Sequence, residues 1–256
     1  MDLLDLLLHP TKAGQRYSPL TEGLTEGQAR ELRWIFSRVR EGEHRARVQG
    51  ERSYASQDAA VRHAYSKDAS TLPKAIDQLI KRVPGAVVLP TTEAQLHELL
   101  DFAQNNSVPI TPRGGGTQPY GGAVPTEGGV VADMRAFDEV LDVDAAKKEV
   151  RVQAGANWHD LEARLNEEDL SLRAEPLTAP FSTVGGWIAT GGGGFGSHQY
   201  GTIRDIVTEV TVLTPDGERE TWTGKDLDLA VGAHGATGVL LDAGIKVRDP
   251  AETGAA

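Results

Sequence analysis

The sequence predicts an α+β fold with mixed sheets. Three observations carry that expectation: an early strand, helix, strand alternation, a late series of strands containing one tight turn, and glycines gathered where strand-like sequence ends.

In chain order, the charged opening segment, residues 1–66, reads as a helical N-terminal extension, with Thr25 and Gln28 in a capping-box pattern ahead of Leu32, Ile35, Phe36 and Val39 at helical spacing. Residues 86–90 form a short apolar strand. Thr92 with Gln95 then caps a helix that puts Leu96, Leu99, Leu100 and Ala103 on one face. A second strand at 108–112 completes a βαβ unit and runs directly into Arg113, Gly114, Gly115, Gly116 and Thr117. Further strands are expected at 129–133, 139–144 and 149–154, and Asn157 caps a helix carrying Trp158, Leu161 and Leu165. Beyond a second glycine-rich loop, strands at 206–214 and 218–223 flank Pro215, Asp216 and Gly217, the residues a hairpin needs, and a last strand covers 238–247. This divides a domain at 67–250 into α/β subdomains of about 84–134 and 135–250, with a frayed tail at 251–256. Trp158, Trp187 and Trp222 read as core or subdomain-interface residues, because large aromatics dominate burial.

Composition excludes several functions. With 37 acidic against 26 basic residues the net charge is -11, which argues against a nucleic-acid surface and against capture of anionic lipid by general electrostatics. An anionic ligand must be held locally. The chain has no cysteine, so disulfides, thiolate zinc sites and protein-held iron–sulfur clusters are excluded within it, and redox chemistry needs an organic cofactor. The seven histidines show no metal-ligand spacing, so no metal is expected. The opening residues are acidic where a signal peptide is basic, and Pro10 interrupts them far short of a membrane span. A cytoplasmic location and no transmembrane segment are the expectation, with a partner as the route to any peripheral membrane association.

The 29 glycines cluster at 114–129 and at 185–201. Without Cβ atoms, consecutive glycines let several N–H groups converge on one anion, a nest suited to a pyrophosphate in an acidic protein, and Arg113 offers a fixed positive charge beside it. The bland alternative is a pair of flexible loops. Gly191, Gly193 and Gly196 satisfy G-x-G-x-x-G, but the polar stretch after them leads to a strand rather than a helix, so a Rossmann reading is discounted; a P-loop is absent.

From Tyr65 to about residue 250 the chain resembles the FAD-binding PCMH-type domain of the vanillyl-alcohol oxidase or FAD-linked oxidase family, found in D-lactate dehydrogenases and glycolate oxidase subunits. The landmarks are Tyr65, Ser66, Lys67 and Asp68; Val87 to Pro90; Pro112 to Thr117 with Gly121 and Gly122; Thr183, Gly185 and Gly186 with Ala189 and Thr190; Gly193 and Gly194; Tyr200 and Gly201 with Asp205; and Gly235 to Gly238. The resemblance implies a PCMH-type FAD-binding fold of two α/β subdomains. It places FAD against Pro112, Arg113, Gly114, Gly115, Gly116, Thr117, Gly121, Gly122, Pro176, Thr183, Gly185, Gly186, Ala189, Thr190, Gly193, Gly194, Tyr200 and Gly201, with Gly155 and Val239 near the adenosine end. Thr117 stands where some relatives carry a flavin-bonded histidine, so the FAD is expected to be non-covalent.

His198 comes after the loop expected beside the isoalloxazine and is the candidate catalytic base, against the simpler reading of a rim residue; for Tyr200, packing is the simpler reading. Relatives acting on D-2-hydroxy acids often read Asn-Ala-Gly-Gly where this chain has Gly191 to Gly194, then place a basic residue or histidine at Gly196, and a glutamate is common at His234, which leaves the substrate class open. They also continue into a substrate-covering cap domain. The resemblance therefore implies that the cap comes from a longer form of the chain or from a second subunit, with residues 1–66 as a candidate docking element or a solvated helical cover. The implied activity is FAD-dependent oxidation of a small-molecule hydroxy acid or related alcohol, with a quinone or Fe–S protein as electron acceptor. Two alternatives are a non-catalytic FAD-binding electron-relay subunit and an enzyme like UDP-N-acetylenolpyruvoylglucosamine reductase, which shares the fold.

Overall fold

The computed structural model describes residues 24–37, 54–71 and 82–250. The opening residues, Val39 and the tail at 251–256 lie outside them, as do the side chains of Ile35 and Phe36. The described chain divides into two compact units: one takes the residues up to Arg113 together with Gln118–Ala136, the other takes Gly114–Thr117 and the chain from Phe137 onward.

The first unit is a mixed four-stranded sheet of β1 (Tyr54–Ser56), β2 (Ala86–Leu89), β3 (Ile110–Arg113) and β4 (Val130–Asp133), in the order β1-β2-β4-β3. β1 is antiparallel to β2, while β2 and β3 both run parallel to β4. Its helices are α1 (Glu26–Ser37), α2 (Ala59–Ala64) and α3 (Glu93–Asn106). Thr25 and Gln28 form the expected reciprocal bonds before α1, which packs on α3 and β1. β1 corrects one expectation. Part of the supposed helical extension is a strand built into this sheet, and three residues are too short to display an alternation. On α3 the expected Leu96, Leu99, Leu100 and Ala103 are buried, joined by Phe102. The next strand starts two residues later than expected because Val108 N–H closes the helix on the Ala103 carbonyl, with Ser107 left-handed between them.

The second unit has an antiparallel sheet in the order β5-β6-β10-β8-β9, namely β5 (Val140–Asp144), β6 (Glu149–Gln153), β10 (Val239–Arg248), β8 (Val207–Leu213) and β9 (Arg219–Thr223), with β7 (Ser171–Leu172) beside β10. Alternation separates its faces. Val150, Val152, Ala243, Ile245, Val247, Val210 and Val212 join a core with Trp158, Leu161, Leu165, Trp187, Ile188 and Trp222. The other face is polar: Arg151 bonds Asp242 at 2.9 Å, and Asp242 also accepts from Thr211. The helices are α4 (Trp158–Asn166), α5 (Val184–Thr190), α6 (Ser197–Tyr200) and α7 (Ile203–Ile206). The last two occupy the polar stretch expected to lead directly to a strand rather than a helix; at four residues each they fall below what periodicity reveals.

Candidate functional site

The glycine segment Gly114–Thr117 belongs to the second unit, where it lies against residues 181–183. That floor is fixed from below. Val184 N–H donates to the Ala156 carbonyl at 2.9 Å and Gly185 N–H to Ala154 at 2.7 Å, while the indole N–H of fully buried Trp158 donates to the Thr183 carbonyl at 3.1 Å. Trp187 meets Trp158 edge-on with centroids 5.0 Å apart. Thr183 caps α5 through Gly186 N–H at 3.2 Å. A Cβ on Gly185 would come within 2.7 Å of the Ala154 Cβ, so the close approach of the first turn of α5 to Ala154 favours glycine at this position.

On this floor a Cβ at Gly114 would overlap the Thr183 hydroxyl, and one at Gly115 would overlap the Phe181 carbonyl oxygen. Gly116 takes a left-handed φ of 64°. Among the described residues the amides of Gly115, Gly116 and Thr117 donate to no carbonyl or side chain. Unpaired amides that follow two positions with no room for a side chain, Gly114 and Gly115, are the chemistry of an anion nest, and they fit a pyrophosphate. The Thr117 hydroxyl lies 2.9 Å from Ser182 Oγ, which lies 2.6 Å from Thr178 Oγ1. Ser182 and Thr178 carry no signal in the sequence, since nothing local marks a hydroxyl whose partner is distant along the chain.

The second glycine tract is held mainly by backbone. Gly191 ends α5 in the left-handed region, and the carbonyls of Ile188 and Ala189 accept from Gly232 and His234 N–H. A Cβ at Gly194 would overlap the Glu175 carbonyl and lie 3.0 Å from Pro176 Cα, and Glu175 N–H donates to Phe195 at 3.0 Å. A Cβ at Gly193 would meet only Ser197 at 3.4 Å. Ala189 and Thr190 stand at the last turn of α5, where the Thr190 hydroxyl bonds the Trp187 carbonyl. Tyr200 is half-buried under the Arg173 guanidinium, 5.9 Å from its ring centroid, and Gly201 abuts the Asp205 carboxylate. His198 is exposed on α6, close in the chain to exposed Phe195. Gly155 donates to Phe137 at 2.7 Å, and Ala154 N–H bonds the Leu241 carbonyl, which brings Gly155 to the end of β10 where Val239 begins.

The remaining expected residues belong to the first unit. Arg113, only 4% exposed, lies 5.2 Å from the Tyr65 ring centroid and donates to the Ala123 carbonyl at 3.2 Å. Burial lowers its pKa, opposed by the nearby Tyr65, Asp133 and Asp68. Fully buried Asp133 accepts the Tyr65 hydroxyl at 2.5 Å and a fork from Arg135, whose pKa that fork raises. Pro112 precedes Arg113, the last residue of β3, and its missing N–H suits this edge strand. Gly121, at φ 82°, and Gly122 lead to Ala123, whose N–H donates to Asp68. Among the described residues no group of three or more His, Asp or Glu is placed to hold a metal ion, and no helix is long and apolar enough to cross a membrane.

Comparison with known proteins matches residues 84–223 to a family described as FAD binding domain. Alkyldihydroxyacetonephosphate synthase of Dictyostelium discoideum is 30% identical over 199 residues, covering 74% of this chain and 33% of that protein. Glycolate oxidase subunit GlcD of Bacillus subtilis is 31% identical over 203 residues, or 76% of this chain and 42% of the subunit. D-lactate dehydrogenase of Archaeoglobus fulgidus is 35% identical over 170 residues, 63% of this chain and 38% of the enzyme. A solved structure of alkyldihydroxyacetonephosphate synthase superposes with a TM-score of 0.68 at 29% identity, covering 78% of this chain and 37% of that one. The chain thus spans 33% to 42% of the length of these relatives.

Proposed function

Because this chain belongs to the FAD binding domain family of the FAD-linked oxidases, we propose that it holds FAD non-covalently and serves as the redox half of an oxidoreductase acting on a hydroxy acid or related alcohol. The observation that carries the reading is the Gly114–Thr117 segment, with its unpaired amides, seated on residues 181–183. Those amides take the pyrophosphate, and the hydroxyl of Thr117 adds a donor. Threonine cannot form the histidyl bond that ties flavin down in some relatives, and no cysteine is available for another. Bound there, FAD would supply the electron sink for oxidation of a CH–OH carbon. His198, exposed on α6, is the group in this tract suited to take the hydroxyl proton.

A second reading is an electron relay whose substrate site lies on a partner. It is favoured by the lack of side chains at residues 191–194, where no group can anchor a substrate carboxylate. The names of the relatives leave room for it, since one is a synthase and others are dehydrogenases.

The test is the visible spectrum of the purified chain before and after acid precipitation, then turnover of D-lactate and glycolate with a dye acceptor. Flavin released into the supernatant is expected; a yellow pellet would overturn non-covalent binding. Turnover lost in His198→Gln supports the enzyme, whereas bound flavin without turnover supports the relay.

A further inference from the structure

We propose that Ser182 and Thr178 are positioning residues that hold the Thr117 hydroxyl as a hydrogen-bond donor to the pyrophosphate of FAD. This rests on the reading of Gly114–Thr117 as the cofactor cradle. Proton bookkeeping along the chain of hydroxyls carries it. Thr117 Oγ1 and Ser182 Oγ are 2.9 Å apart, and Ser182 Oγ and Thr178 Oγ1 are 2.6 Å apart. Each hydroxyl has one proton to give and lone pairs to accept with. Ser182 is 5% exposed, and among the described residues its hydroxyl has no partner besides these two threonines. A buried donor is not left unmade, so Ser182 gives its proton to one threonine and accepts from the other.

Two polarities remain. In one, Thr117 gives its proton inward and Thr178, which is exposed, gives its own to solvent. In the other, Thr178 donates to Ser182 and Ser182 to Thr117, which leaves the Thr117 proton facing outward. An anion at the neighbouring amides selects the second polarity, because it repels the lone pairs of Thr117 and attracts its proton, and each link polarises the next. Solvent at Thr178 tolerates either direction, so the switch meets no resistance at its far end. Ser182 thereby does what no residue on the glycine segment can: it occupies the acceptor side of the Thr117 oxygen and orients its proton outward.

The experiment is calorimetric titration of the apo chain with FAD and, separately, with ADP, which carries the pyrophosphate without the flavin ring. Thr117→Val and Ser182→Ala should each weaken both ligands by roughly tenfold, as expected for a lost hydrogen bond to a charged group. The double variant should be no weaker than Thr117→Val alone, and Thr117→Ser should regain the parent affinity. A loop merely loosened by Ser182→Ala would lose affinity independently of residue 117, and the double variant would then be weaker than Thr117→Val alone. Thr117 is half-exposed, so its two variants remain informative if Ser182→Ala fails to fold. Parent affinity for both ligands in Thr117→Val, or losses confined to FAD with ADP unchanged, would overturn the proposal. If Gly115→Ala also kept parent affinity for FAD and ADP, the cradle reading itself would fail, which separates the two failures.

Discussion

At Gly115 a single hydrogen atom decides whether two loops can meet. A methyl group there would overlap the carbonyl oxygen of Phe181, and backbone cannot swing aside as a side-chain tip can. Gly193 lies in an equally glycine-rich tract, yet its added Cβ would meet only Ser197 Oγ at 3.4 Å, an ordinary contact. Gly115→Ala should therefore lower the unfolding free energy by about 1–3 kcal/mol and release FAD, while the unfolding free energy of Gly193→Ala should stay within about 0.5 kcal/mol of the parent. Urea midpoints with FAD titrations on both variants decide this, and equal behaviour would show that close approach is not what selects glycine at 115. The two glycines look alike in the sequence because the atom that distinguishes them belongs to Phe181, far along the chain. Arg113 makes the same point. It is legible as a charge beside a nest, but its contacts with Tyr65 and Ala123 come from chain positions that no local pattern connects.

At the scale of elements, legibility tracked length and alternation. The faces of α3 and α4, the hairpin at residues 213–219 and the strands β6 and β8 were readable because each repeats its signal. β1, α6 and α7 repeat nothing, and were not. What fixes α7 instead is a reciprocal cap: the Asp205 carboxylate accepts Thr202 N–H at 2.8 Å and its hydroxyl at 3.0 Å, and these bonds hold the Asp205 pKa below its ordinary value. A depressed carboxylate pKa stabilises the fold above the unfolded value of 3.8, and that contribution disappears as the pH falls through the lower folded value. Because Asp205 is exposed, solvent screening limits the effect to a few tenths of a kcal/mol. Asp205→Ala should thus be slightly less stable than the parent at pH 7 and indistinguishable from it once the parent carboxylate is protonated. A deficit that persisted in strong acid, measured by urea unfolding across pH, would assign the loss to packing against Gly201 rather than to the cap.

The whole molecule sets the sign of a longer-ranged effect. The chain carries a net charge of -11 and yet belongs to a family that binds a doubly anionic cofactor. Within the second unit the Gly114–Thr117 segment offers backbone dipoles, with no ion pair among its contacts to described residues. Dipoles act at close quarters and are barely screened, whereas the field of the net charge reaches over a Debye length, about 30 Å at 0.01 M salt and about 8 Å at 0.15 M. Added salt should therefore remove repulsion while leaving the local attraction in place, so the Kd for FAD should fall as salt rises over that range. A cradle built on lysine or arginine would behave oppositely, since salt would screen the attraction itself. Fluorescence titration of the apo chain with FAD at several sodium chloride concentrations reads the sign directly. Tightening with salt supports a backbone nest in an acidic protein, and steep weakening would show that fixed cations, not the amides of Gly115 to Thr117, hold the pyrophosphate.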